Sequence, residues 1–416
     1  MYPIQIGNYD FKRLYLWLQH SDKLPFFTEI VIEVFYPNNM QADGLVMFNH
    51  GFLIGTDLLF YPKQFISKLT NQDTPLFQVN PSWYYNYSQA AINNNWALGF
   101  VTTAHLQFDM MPWTNLGGNP RVGQAAYAAA SYLIKYGATH KYDDHESVMK
   151  ARFLRADASS NNSMLNRVIF AGHSVGGAHA QVAATGFDAL QEIGARNLMP
   201  FDPVFYNREV TPDHTLPMSK WDESSRARPI GLLQLSPVDG AGGKTVPYLA
   251  PGMKPYREHL ASVAMPNLMV TGACDSACLD PKNSDPPAWI DVADRSTSQY
   301  AQMAYGSSNS WAATCMVERG SHCGYLAHHN DLCTQADKKS LCDPSVTPYT
   351  AKQEEYRFSN ELLDQYIGFV AGKDPANCSF DTWKNGSLMQ WLNKEKPGTS
   401  GVSLRQFPDG YVHFPS

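Results

Sequence analysis

The residue in this chain best placed for covalent chemistry is Ser174, in Gly172-His173-Ser174-Val175-Gly176-Gly177. A serine hydroxyl is a weak nucleophile until a turn exposes it and a base takes its proton. On so tight a turn, side chains two positions to either side would collide, and glycine at both places relieves the clash. The bare pattern G-x-S-x-G arises by chance in a chain of this length with a probability of about 0.1, so its setting decides. Residues 167–171 (RVIFA) read as a buried strand running into it, and residues 176–193 read as a helix leaving it. A helix that starts at the serine aims its first amides and its positive dipole end at the developing negative charge.

Such a serine needs a base and an acid, and on a strand–turn–helix elbow these follow in the order Ser, Asp or Glu, His. The base candidate is His322, in Val317-Glu318-Arg319-Gly320-Ser321-His322-Cys323-Gly324, just past a strand expected at 314–318. Other histidines fit less well. His50 and His105 precede the serine, His173 lies inside the elbow, where packing beside the serine suits it, and His328 and His329 fall in the following segment. Two acids are candidates. Asp275 comes directly after a strand at 267–271, in Gly272-Ala273-Cys274-Asp275, and Asp239 comes after a strand at 230–235, in Ser236-Pro237-Val238-Asp239-Gly240. Either loop could reach the far nitrogen of the imidazole and fix its tautomer. Asp275 is preferred because it follows its strand closely, with glycine beforehand.

The oxyanion of an acyl-transfer intermediate needs two backbone donors, one from the residue after the nucleophile and one from a loop after an early strand. The first would be the amide of Val175. The second would come from His50-Gly51-Phe52-Leu53-Ile54-Gly55, which follows a strand at 44–49; Phe52 is the preferred donor and Leu53 the second choice. This chemistry needs no metal and no organic cofactor. A metal module built on Cys315, Cys323, His328, His329 and Cys333 matches no zinc spacing.

The elements that must position these residues alternate. Strands are expected at 29–36, 44–49, 97–103, 167–171, 230–235, 267–271 and 314–318, with helical patterns at 61–70, 121–136, 176–193 and 354–370. Short β-branched runs between amphipathic helices imply an α/β fold, a mostly parallel sheet with helices on both faces. Residues 1–371 read as one domain with insertions near 137–166 and 195–229, and 372–416 as a C-terminal extension packed on it, carrying Trp383, Trp391, Tyr411 and Phe414. Aromatic and Met-rich loops at 60–61, 83–87 and 110–113 suggest a pocket for a large apolar ligand.

Composition narrows the partners. The 416 residues are 44% apolar and 17% charged with net charge −6, which excludes a disordered or collagen-like chain. With no basic run among 32 Lys+Arg there is no footprint for nucleic acid. No apolar run reaches the length of a transmembrane segment, and nothing in the pattern bears on oligomeric state. All 7 cysteines lie between Cys274 and Cys378. That clustering suggests local disulfides around the acid and base loops, hence an oxidising compartment or secretion. Four sequons (Asn86, Asn161, Asn377, Asn385) are compatible with secretion, although the N-terminus shows no signal-peptide pattern.

With GHSVGG at 172–177, SPVDG at 236–240 and the His322 turn in view, the chain resembles chlorophyllases and related serine esterases of the α/β-hydrolase fold. That group carries Gly-His-Ser-x-Gly-Gly, a strand ending in Asp-Pro-Val, and a long excursion before a Gly-His turn. This chain departs from it in having Ser236 where the first Asp of Asp-Pro-Val would stand. The acid loop GACDS at 272–276, the His50-Gly51-Phe52 segment and the Gly-Ser-His turn resemble those of bacterial cutinase-like polyester hydrolases. The resemblance implies an ester hydrolase with a Ser-His-Asp triad acting on a hydrophobic ester: a tetrapyrrole with a long isoprenoid alcohol, or a cutin-like polyester. A lipase, or a hydrolase fold retained only for binding, are the alternatives.

Overall fold

The computed structural model describes residues 10–51, 81–106, 120–141, 148–156, 165–206, 216–237, 250–275, 311–328, 345–372, 378–407 and 409–414. Phe52, Leu53, Asp239, His329, Cys333 and the helix expected at 61–70 lie outside them. In chain order the elements are β1 (Asp10–Ser21), β2 (Leu24–Tyr36), β3 (Leu45–Asn49), α1 (Tyr87–Asn93), β4 (Ala97–Leu106) and α2 (Pro120–Tyr136). Then come β5 (Ala138–Lys141), β6 (Val148–Ala151), β7 (Arg167–His173), α3 (Val175–Ala184), α4 (Phe187–Arg196), β8 (Val204–Tyr206) and β9 (Arg228–Leu235). The remainder are α5 (Ala250–Leu260), β10 (Asn267–Gly272), β11 (Ala312–Val317), α6 (Glu354–Ala371), α7 (Phe380–Asn385), α8 (Ser387–Leu392) and β12 (Val412–His413).

The main sheet runs β12-β11-β10-β9-β7-β3-β4-β2-β1-β8. From β4 through β11 neighbouring strands are parallel, whereas β2 is antiparallel to both β4 and β1. Parallel strands covered on both faces read as continuous apolar runs, which is why LVMFN in β3 and NLMVTG in β10 are buried along their whole length. Alternate side chains feed two cores. Leu45 and Met47 of β3, with Val168 and Phe170 of β7, join the layer built with α2, α3 and α4. Val46 and Phe48, with Ile169 and Ala171, join the opposite layer built with α1, α6 and the C-terminal residues. This is the α/β-hydrolase fold, with the strand order β1-β2-β4-β3-β7-β9-β10-β11 at its centre.

Three features differ from the sequence reading. β1 was not expected; it pairs along its length with β2 across a tight hairpin at Asp22 and Lys23, and Leu16 and Leu18 are buried. Its run LYLWLQ lacks clean alternation, so the sheet partner rather than periodicity reveals it. The helix expected at 176–193 is two, because Gly186 takes φ +84° between α3 and α4. The segment 137–166 holds the β5/β6 hairpin, while β8, within 195–229, adds to the β1 edge. At the other edge, β12 pairs with β11, and Trp383 and Leu392 of the C-terminal residues are buried.

Candidate active site

β7 delivers Ser174 at the top of the sheet, and α3 starts at the next residue. Ser174 has φ 58° and ψ −131°, a conformation L residues avoid and one that an elbow imposes. Its amide donates to the Leu235 carbonyl (3.0 Å), and its carbonyl accepts from Gly177 N–H (2.9 Å), so the strained residue is held from both sides. The two glycines are sterically required. A Cβ on Gly172 would lie 2.2 Å from the Gly176 carbonyl oxygen, and one on Gly176 would lie 2.1 Å from that of Asn49. The elbow can therefore sit directly against the end of β3.

Three sequence candidates meet here. Ser174 Oγ lies 2.9 Å from His322 Nε2, and His322 Nδ1 lies 2.9 Å from Asp275 Oδ2. Asp275 is fully buried and Ser174 is only 4% exposed. A buried carboxylate accepts only, so Nδ1 carries the imidazole proton, and Nε2 is left to accept from the serine hydroxyl. Such an arrangement can activate an alcohol nucleophile and hold the imidazolium that results. Val175 opens α3, whose first amides have no partner within the helix.

The acid and base turns are zipped together. Ala273 N–H donates to the Val317 carbonyl (2.9 Å) and Cys274 N–H to the Gly320 carbonyl (2.8 Å). Beneath the base turn lies the carboxylate of Glu355, fully buried, whose Oε2 accepts from Ser321 N–H (2.9 Å). The Ser321 hydroxyl donates to the Tyr349 carbonyl (2.5 Å). Both backbone and side chain of the residue before His322 are thus fixed.

Two further histidines border the site and are held neutral. His50 Nδ1 donates to the Gly51 carbonyl (3.1 Å) and its Nε2 faces Thr102 Oγ1 (3.1 Å); burial lowers its pKa to about 4. His173 lies beneath the serine with its pKa lowered to about 3, chiefly by burial and then by His322. The serine at 236 is buried at φ 42°, its hydroxyl donating to Tyr325 Oη (3.3 Å). His328 stands against Trp83, ring centroids 5.9 Å apart.

No protein-family model matches the sequence, and no curated protein matches it. Among solved structures the chain is similar to Thermogutta terrifontis esterase 2 phosphoramylated by tabun, at 11% identity and a TM-score of 0.42, covering 88% of this chain and 97% of that one. It is similar to an S-formylglutathione hydrolase from Agrobacterium tumefaciens at 12% identity and a TM-score of 0.39, covering 88% and 95%. It is similar to a dienelactone hydrolase from Anabaena variabilis at 12% identity and a TM-score of 0.35, covering 87% and 98%.

Some sequence expectations take a different form in the structure. Tyr84, Tyr85 and Tyr87, read as pocket wall, are core residues: Tyr84 and Tyr87 pack on Phe48, and Tyr85 donates to the buried Glu33 (2.7 Å). The loops at 60–61 and 110–113 lie outside the described residues. Glu355 was missed, though its signal is present: with Ser359 and Leu362 it occupies the buried stripe of α6, where a carboxylate is out of place. Among the described residues no group of His, Cys, Asp and Glu is arranged to hold a metal, and no helix is long and apolar enough to cross a membrane.

Proposed function

We propose that this chain is a serine ester hydrolase with Ser174 as nucleophile, His322 as base and Asp275 as acid. The observation that carries this reading is the hydrogen-bonded line from Ser174 Oγ through His322 to a fully buried carboxylate, set on a strained elbow. Ser174 Oγ attacks the ester carbonyl carbon while its proton passes to His322 Nε2. The carbonyl oxygen becomes an oxyanion, received by the amides of Val175 and Phe52. Collapse breaks the bond to the alcohol, which leaves with the proton from Nε2. Water then repeats the sequence, giving up a proton to Nε2 and releasing the acid. Throughout, Asp275 holds the imidazolium.

The substrate class we propose is a large apolar ester, chlorophyllase-like, with a cutinase-like polyester as the competing choice. It rests on the GHSVGG elbow and the GACDS acid loop. We also propose that Cys274 and Cys323 are held in disulfides; each is the chain neighbour of a triad residue, Asp275 and His322. Cys315 is a buried free thiol. A secreted or otherwise oxidising location goes with that reading.

The test is hydrolysis of a chromogenic aryl ester, chlorophyll, a long-chain triglyceride and a polyester film side by side. Active-site labelling with a serine-directed phosphonate runs in parallel. Turnover of at least one ester, with the label on Ser174, is expected. A label elsewhere, or none with no turnover, would overturn the proposal.

A further inference from the structure

The triad leaves unexplained a buried imidazole beside it. His173 Nε2 lies 2.7 Å from the backbone carbonyl oxygen of His322, and its Nδ1 lies 2.7 Å from the hydroxyl of Tyr84. That hydroxyl in turn accepts from Gly51 N–H at 3.1 Å. All three bonds are buried.

The direction of every proton in this chain follows from its two ends. A backbone carbonyl can only accept, so His173 must carry its proton on Nε2. A backbone N–H can only donate, so Tyr84 receives from Gly51 and is free to give its own proton to Nδ1. One arrangement satisfies all the groups, and in it His173 is neutral. A protonated His173 would place a donor on Nδ1 facing the Tyr84 hydroxyl and so take away the acceptor of that buried O–H. Tyr84, Tyr325 and His322 face the ring at centroid distances of 5.8, 5.3 and 4.9 Å; burial and then His322 oppose a second proton on it, and they outweigh the Asp275 carboxylate, which favours one.

The two ends belong to different parts of the site. His322 is the proposed base. Gly51 is the residue from which the chain leaves the end of β3, and it lies against the elbow: a Cβ there would be 3.2 Å from Ser174 Cβ, 3.2 Å from His173 Nδ1 and 3.0 Å from Tyr84 Oη. Its carbonyl is held by His50 and its amide by Tyr84.

We infer that His173 and Tyr84 are positioning residues, a proton-ordered strut that fixes the backbone of the base against the strand end bordering the nucleophile. The inference rests on the serine-hydrolase reading. Its consequence is that the strut acts on turnover more than on binding, because it sets the approach of His322 to Ser174 and touches no substrate.

The test compares Tyr84→Phe, His173→Gln and His173→Leu in the full chain, using a chromogenic ester and the rate of phosphonate labelling. Tyr84→Phe should lower kcat about 10-fold and His173→Leu about 100-fold, with KM within about twofold and labelling slowed in the same ratio. His173→Gln should recover part of the loss, since a side-chain amide can still donate to the His322 carbonyl. In the wild-type protein, nitrogen-15 spectra of labelled histidine should show His173 neutral and protonated on Nε2 from pH 8 to pH 5, a result that needs no variant to fold. A proton found on Nδ1, titration of His173 within that range, or losses in KM alone would overturn the inference. Turnover lost in Ser174→Ala but intact in both His173 variants would overturn this inference alone. Turnover retained in Ser174→Ala would overturn the underlying reading with it.

Discussion

Gly272 and Gly320 meet backbone against backbone: a Cβ on Gly272 would lie 2.3 Å from the Gly320 carbonyl oxygen, and one on Gly320 would lie 2.6 Å from Gly272 Cα. Gly272 ends the strand that leads to Asp275, and Gly320 precedes His322 by two residues. The paired absence of side chains lets the acid and base turns lie close enough for the 2.9 Å bond between Asp275 and His322. Gly272→Ala should therefore separate the turns. We expect a loss of about 3 kcal/mol in stability, at the upper end for overpacking because backbone must yield. Turnover should fall more steeply than stability accounts for. Urea denaturation and kcat measured on the same preparation check both parts; a variant with wild-type kcat would contradict the argument.

The roles proposed for Ser174 and Asp275 predict different signatures. Ser174→Ala should lower kcat by about 10⁴-fold or more and abolish phosphonate labelling, since no other hydroxyl lies on the elbow. Asp275→Asn should cost about 10³- to 10⁴-fold, because an amide in that place can hold the wrong imidazole tautomer. Asp239→Asn should stay within a few-fold of wild type. Equal losses at the two aspartates, or the reverse ranking, would reassign the acid.

Much of this site is legible from local sequence because elbow, acid and base each follow a strand closely. Gly172 and Gly176 carry the signal of the turn, and their clashes with Gly176 and Asn49 backbone are the steric reason. Gly272 marks the acid turn for the same reason. What could not be read depends on contacts between residues remote in sequence. Tyr84 reaches His173 across 89 positions and Glu355 reaches Ser321 across 34, and nothing in either neighbourhood announces the partner. The first strand was obscured by its apolar run, and the break at Gly186 by the helix formers on both sides. His173 was visible as a residue, but its place in a hydrogen-bonded chain appears only when Tyr84 and the His322 carbonyl are brought to it.

Glu355 should matter through the base turn. Its carboxylate lies against the Cβ-free faces of Gly320 and Gly324 as well as the Ser321 amide. Glu355→Leu removes the acceptor of a buried N–H, which costs about 1–3 kcal/mol. Glu355→Gln keeps an oxygen for that amide and should be milder. In both, kcat should fall while KM changes little, because His322 rather than the substrate loses its support. Chemical denaturation with kinetics on the aryl ester separates the two variants; Leu and Gln variants of equal stability would remove Glu355 from this role.

The neutral histidines predict how stability responds to acid. His173, buried and lowered to about 3, stays unprotonated in the folded chain while its unfolded counterpart takes a proton near the ordinary 6.5. Below 6.5 the unfolded state therefore binds more protons, and stability falls as pH falls. The contribution is complete above about 6.5 and is lost progressively toward about 3, at about 1.4 kcal/mol per pH unit. Between pH 6.5 and pH 5 this amounts to about 2 kcal/mol for His173, and half-buried His50, lowered to about 4, adds to the same slope. Protonation would also set a cation 4.9 Å from the imidazolium that His322 becomes in the proposed mechanism. At an effective dielectric constant of about 20 that repulsion is about 3 kcal/mol, so a neutral His173 favours the base's charged state. Urea denaturation of wild type and His173→Gln at pH 6.5 and pH 5 measures the difference. Wild type should lose about 2 kcal/mol more than the variant, and parallel losses would show that His173 titrates in the folded protein as it does in the unfolded one.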